Sequence, residues 1–107
     1  MTKFYMKQND TSPAIKIECA DGDDAVIPVT GAAVRFFMRD SAGTVKVNAA
    51  GSITDGPSGI IQYDWVAGDT DTAGVFNAEF QVTFAGGEIE TFPNKGYISV
   101  VIEDDIA

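Results

Sequence analysis

The stretch from Phe76 to Phe84 constrains the fold most strongly. Phe76, Ala78, Phe80, Val82 and Phe84 alternate with Asn77, Glu79, Gln81 and Thr83. Successive side chains of a strand point to opposite faces, so this order makes one dry face and one wet face. A helix would scatter the same five apolar residues around its circumference. Similar alternation recurs along the chain. Ala14 to Cys19 sets Ile15, Ile17 and Cys19 against Lys16 and Glu18, and Ala33 to Arg39 sets Val34, Phe36 and Met38 against Arg35, Phe37 and Arg39. Thr44 to Asn48, Ile60 to Val66, Glu88 to Phe92 and Tyr97 to Ile102 read the same way.

Turn residues separate these runs. Asp21-Gly22-Asp23-Asp24, Asp40-Ser41-Ala42-Gly43, Asp55-Gly56-Pro57-Ser58-Gly59 and Ala85-Gly86-Gly87 supply the backbone chemistry that reverses a chain. Pro93 lacks an N–H and interrupts pairing before the last strand. About seven to eight short strands in one chain of this length predict an all-β fold, a single immunoglobulin-like antiparallel β-sandwich over residues 1–107. Stacking two sheets buries Phe36, Trp65, Phe80, Val82 and Val100 together. Residues 1–12 are open to two readings. Lys3-Phe4-Tyr5-Met6-Lys7 is either an arm that adds a strand to a neighbouring subunit or, as favoured here, the first strand of its own sandwich.

Composition removes many functions. The chain has 16 Asp plus Glu, 7 Lys plus Arg and no His, for a net charge of −9. Without His there is no His general base, no Ser-His-Asp arrangement and no His-ligated metal. Cys19 is the single cysteine, so a cysteine-rich zinc site and an internal disulfide are excluded. The negative charge opposes binding to nucleic acid and to anionic membranes. No run approaches the roughly 20 apolar residues of a membrane span. The first residues lack the apolar core of a signal peptide. The expectation is therefore a protein made in a cytoplasm and kept or assembled there, with no catalytic residues, no cofactor and no metal.

Ordered pieces across the chain resemble one family. Lys7-Gln8-Asn9-Asp10-Thr11-Ser12-Pro13-Ala14 looks like the opening of the N-terminal domain of phage baseplate upper proteins. Val29 to Phe36, Gly59 to Trp65, Asp71 to Phe80, and Glu90 to Pro93 followed by Tyr97 to Val100 fit the pattern in the same order. The resemblance implies an immunoglobulin-like virion module that docks on a symmetric tail or baseplate partner. Its partners would be other phage structural proteins, with the module present as a homo-oligomer or in many copies, located in the virion after assembly in the host cytoplasm. The chain ends at Ala107, where longer members continue into a helical stem, so docking is expected rather than bridging. Capsid decoration and carbohydrate binding at a host surface are the alternative roles.

Several side-chain groups are candidate sites. Asp21-Gly22-Asp23-Asp24 is acidic enough for calcium, yet the sixth and twelfth residues from Asp21 are Val26 and Ala32 rather than Gly and Glu. A solvated turn is the favoured reading. Asp64, Glu79, Glu88 and Glu90 sit on polar strand faces or beside turns, as solvated carboxylates do. Tyr63 and Trp65 share an apolar face and read as core. The Gly68 to Phe76 segment resembles the corner that enters strand F of immunoglobulin domains, with Phe76 in place of its tyrosine.

Two basic, aromatic groups remain as partner-interface candidates. One is Lys3, Phe4, Tyr5 and Lys7. The other is Arg35, Phe37 and Arg39, since Arg and aromatic residues are enriched at interfaces. A strand buried on both faces is the alternative for the second group.

Overall fold

A computed structural model describes residues 3–106. Among the described residues there are nine strands and no helix: β1 (Lys3–Lys7), β2 (Ile15–Glu18), β3 (Ala33–Arg39), β4 (Val45–Ala50), β5 (Ser52–Asp55), β6 (Ile60–Tyr63), β7 (Gly74–Thr83), β8 (Ile89–Phe92) and β9 (Ile98–Glu103). They form a six-stranded sheet, ordered β1-β9-β7-β3-β4 with β8 also on β7, and a three-stranded sheet ordered β2-β6-β5. The two sheets stack into an immunoglobulin-like β-sandwich.

The long alternating run becomes the organising strand. β7 pairs with β3 along one edge. Its other edge is shared: Gly74 to Ala78 pair with β9, and Phe80 to Thr83 pair with β8. Phe76, Ala78, Phe80 and Val82 all face inward and are buried. The expected antiparallel arrangement needs one correction. β1 runs parallel to β9, with Lys3 opposite Ser99 and Lys7 opposite Glu103. The N-terminal segment is thus the edge strand of its own sheet and not a free arm. A ninth strand, β5, was not expected from the sequence.

β4 leads into β5 through Gly51, where the chain passes from one sheet to the other. A side chain there would lie 2.9 Å from both the Gln62 carbonyl oxygen and Val34 Cγ1. Only a residue without Cβ lets the crossing strand approach so closely. The Gly51 N–H donates to the Val34 carbonyl at 2.9 Å, tying the crossing to the six-stranded sheet.

Aromatic rings from both sheets meet in the core. Phe36 stacks on Tyr63 at 4.6 Å, meets Trp65 edge-on at 5.5 Å and lies 4.9 Å from Phe80. Phe4 covers Trp65 from β1 at 6.0 Å. The Trp65 indole N–H is buried there and has no hydrogen-bond partner among the described residues.

The connection from β6 to β7 is fixed in a different way from the expected corner. Phe76 is buried and has no hydroxyl. Instead the Tyr63 hydroxyl donates to Asp69 Oδ2 at 2.6 Å, and the Val66 N–H donates to the same oxygen at 2.9 Å. Thr70, also buried, donates through Oγ1 to the Asp10 carbonyl at 2.7 Å. The Asp69 bonds brace the connection internally, and the Thr70 bond ties it to the segment that follows β1.

Candidate functional site

The two groups singled out in the sequence lie on one surface, the outer face of the six-stranded sheet. Parity decides which members reach it. Phe36, Met38 and Val34 face the core, so Arg35, Phe37 and Arg39 face outward. On β1, Met6 is buried and Phe4 packs inward on Trp65, which leaves Lys3, Tyr5 and Lys7 outside. Phe4 is therefore a core residue and drops out of the interface set. Phe37 is half-buried, between the expected outward contact and the alternative of full burial.

Register joins the groups into rows. Lys3 is opposite Ser99, Ser99 opposite Asn77, and Asn77 opposite Arg39. The next row sets Tyr5, Val101 and Val75 side by side. Three strand spacings separate β1 from β3, a distance of about 14 Å. Tyr5 is 59% exposed and Val75 57%, so this row leaves apolar area at the surface rather than in the core.

Both arginines are oriented by neutral groups. Arg39 Nη2 donates to the Tyr97 hydroxyl at 2.9 Å, and its guanidinium lies 5.1 Å over the Tyr97 ring. Arg35 Nε donates to Asn48 Oδ1 at 2.6 Å, and Nη2 to the Asn48 carbonyl at 3.2 Å. No carboxylate among the described residues forms an ion pair with either. Lys7 and Lys46, in contrast, pair with Glu103 and Asp71. The Lys46 ammonium and the Thr72 hydroxyl hold the Asp71 carboxyl below its ordinary value. Neither guanidinium is ion-paired, and Glu79, opposite Phe37, is the carboxylate that shares their face on β7.

Beside Arg39 lies an open groove of about 170 Å³, lined by Phe37, Arg39, Val45, Asn77, Glu79 and Tyr97. A small-molecule pocket is usually about 300 Å³ or more. This groove therefore suits a side chain or loop edge of a partner better than an enclosed ligand. In the sequence Tyr97 marks only the start of a strand. Its meeting with Arg39, 58 positions away, leaves no local pattern to find.

The acidic groups are placed elsewhere. Asp21 Oδ1 accepts the Asp23 and Ala25 N–H groups at 2.8 and 3.0 Å, which is the role of Asp in a turn. Asp40 does the same for Ala42 and Thr44. Asp64 accepts from Gln62, and Glu90 from Asn94. Glu79 stands on the outer face opposite Phe37. Among the described residues no three of His, Cys, Asp and Glu are grouped to hold a metal ion.

Cys19 is fully buried. Burial first, then the carboxylates of Glu90 and Glu18, push its thiol up to about 11 from 9.0. A raised value favours the fold below pH 9 and withdraws that contribution as pH climbs towards 11. The difference corresponds to about 3 kcal/mol. Burial and the Asp69 hydrogen bond also raise the Tyr63 hydroxyl above its ordinary 10, so a further loss starts above pH 10. Urea unfolding at pH 8 and pH 10.5 should show a clear fall in stability. In Cys19→Ala the part between pH 9 and 10 should disappear. A thiol reagent at pH 8 should label the native protein only at its unfolding rate, because the thiolate is the nucleophile.

No family model and no curated protein matches the chain. Among solved structures, CopC from Methylosinus trichosporium OB3b is similar, with a TM-score of 0.58 and 15% sequence identity, over 100% of this chain and 89% of that one. A likeness at that identity concerns the fold. It agrees with the sandwich described above.

Proposed function

We propose that this domain is a non-catalytic virion structural module that docks, in many copies, on a symmetric tail or baseplate partner. The outer face of the six-stranded sheet is the docking surface. The observation that carries this reading is the pair of guanidinium groups, Arg35 and Arg39, held by Asn48 and Tyr97 without a carboxylate. Preorganised arginine beside exposed aromatic and aliphatic groups is the composition of a protein interface. The family resemblance in the sequence supplies the virion setting. Repetition on a symmetric partner lets modest contacts hold firmly through multivalency.

The test is position in the particle. Antibody-gold labelling or a particle reconstruction should find the domain on the tail or baseplate, with the β1-β9-β7-β3 face against its partner. Label on the capsid would move the assignment to a decoration protein. Specific binding on a glycan array, lost in Phe37→Ala or Tyr97→Ala, would replace it with a carbohydrate-binding role.

A further inference from the structure

The two sheets are unequal, and both outer strands of the smaller one, β2 and β5, lack a further neighbour among the described residues. β2 borders the three-stranded sheet and pairs only with β6. The Cys19 N–H donates to the Gly59 carbonyl at 2.7 Å, on the β6 side. In an antiparallel pair the backbone groups of alternate residues point the same way. Ile15 and Ile17 therefore bond towards β6, while the N–H and C=O groups of Lys16 and Glu18 point to the open side. No backbone hydrogen bond among the described residues reaches them there.

Beside this edge the sandwich is open. A cleft of about 430 Å³ lies between β2 and the end of β8, with Ile17, Phe92 and Ile98 as its apolar floor. Glu18, Asp21 and Asp24 stand on its β2 side, and Lys95 on the other. Natural proteins cover, charge or twist an edge strand to prevent unwanted pairing. β2 is short and carries Lys16 and Glu18, and its edge also meets a furrow with an apolar floor.

We infer that β2 accepts a fourth strand from another protein, an extended segment in which apolar and basic residues alternate. Backbone hydrogen bonds to Lys16 and Glu18 would supply affinity. One apolar side chain would sit over Ile17, Phe92 and Ile98. Lysine or arginine at the alternate positions would face Glu18, Asp21 and Asp24. Strand addition of this kind takes its affinity from the main chain and its selectivity from the side chains. Glu18, Asp21 and Asp24 outnumber Lys16 and Lys95 along this edge, so an acidic strand would meet net like charge. This site is separate from the outer face of the larger sheet.

The experiment uses the whole chain and a capped synthetic heptapeptide alternating valine and lysine, with its valine–glutamate counterpart as control. Amide exchange and proton–nitrogen correlation spectra are recorded during titration. The lysine peptide should slow exchange of the Lys16 and Glu18 amides at least about tenfold and shift signals from Phe92 to Lys95. The glutamate peptide should do neither. In Glu18→Lys combined with Asp24→Asn, binding of the lysine peptide should weaken at least about tenfold. Asn is chosen because Asp24 has φ 62°, a conformation that Asn tolerates. Absence of binding at millimolar peptide, equal binding of both peptides, or binding without protection of Lys16 and Glu18 would each overturn the inference.

Discussion

Replacing Phe36 with alanine is expected to lower the unfolding free energy by about 3–5 kcal/mol. Phe36 is fully buried on β3. Its contacts with Tyr63 and Trp65 cross between the sheets, while that with Phe80 lies within its own. Truncation removes one ring from this cluster and leaves a cavity that strands, tied by their ladders, cannot collapse. The loss adds a cavity penalty to lost burial and lost ring contacts. A domain of this size is stabilised by only about 5–15 kcal/mol. One kcal/mol moves its melting temperature by about 4–8 °C, so a fall of at least about 12 °C is expected. Urea and thermal unfolding, followed by circular dichroism and by fluorescence of Trp65, measure both. Phe36→Leu should lose much less, because it fills most of the space. A loss below about 1 kcal/mol in Phe36→Ala would show that the sheets are not joined through this ring.

Alternation made β3 legible to the residue, Ala33 to Arg39, and β7 nearly so. It worked because both strands are long and each has one buried face. β5 escaped notice for the same reason in reverse. Ser52 to Asp55 holds one apolar residue, Ile53, among polar ones, and four residues with one hydrophobe have no period. The parallel pairing of β1 with β9 was also hidden. Alternation reports which face of a strand is dry but says nothing about its neighbour or their relative direction. For the candidate site, parity set Arg35, Phe37 and Arg39 together, while Phe4 stayed grouped with Tyr5 until the structure placed its ring on Trp65. What it could not give was the strand order that puts Lys3 and Arg39 in one row, or the approach of Tyr97. Both depend on pairings between distant segments.

That dependence also explains the shape of the charge distribution. Turn chemistry fixes many acids in place, since Asp21, Asp40 and Asp55 each accept backbone N–H groups of their own loops. Loops lie at the ends of the sandwich, so these acids collect there. The strand that carries the two arginines sits inside the larger sheet, with β4 and β7 on its flanks. The result is a cationic, aromatic sheet face on an acidic molecule, which would orient the domain towards an acidic partner before contact.

Reversing both charges on that face, Arg35→Glu with Arg39→Glu, is expected to weaken docking by at least about 100-fold. An interfacial arginine that acts as a hot spot contributes about 2 kcal/mol or more, and 1.4 kcal/mol is a factor of ten. Two such losses therefore exceed 100-fold even before the new carboxylates repel an acidic surface. The fold should be nearly unaffected. Both side chains are exposed, and their partners Asn48 and Tyr97 are neutral groups at the surface, so each substitution should cost under about 1 kcal/mol. The quantity to measure is the amount of domain that co-sediments with purified particles, alongside the melting temperature of the free domain. Wild-type binding should also weaken with added salt, whereas binding through the apolar row of Tyr5, Val101 and Val75 alone would not. Co-sedimentation that survives the double reversal, with an unchanged melting temperature, would remove the outer sheet face from the interface and shift attention to the open edge of β2.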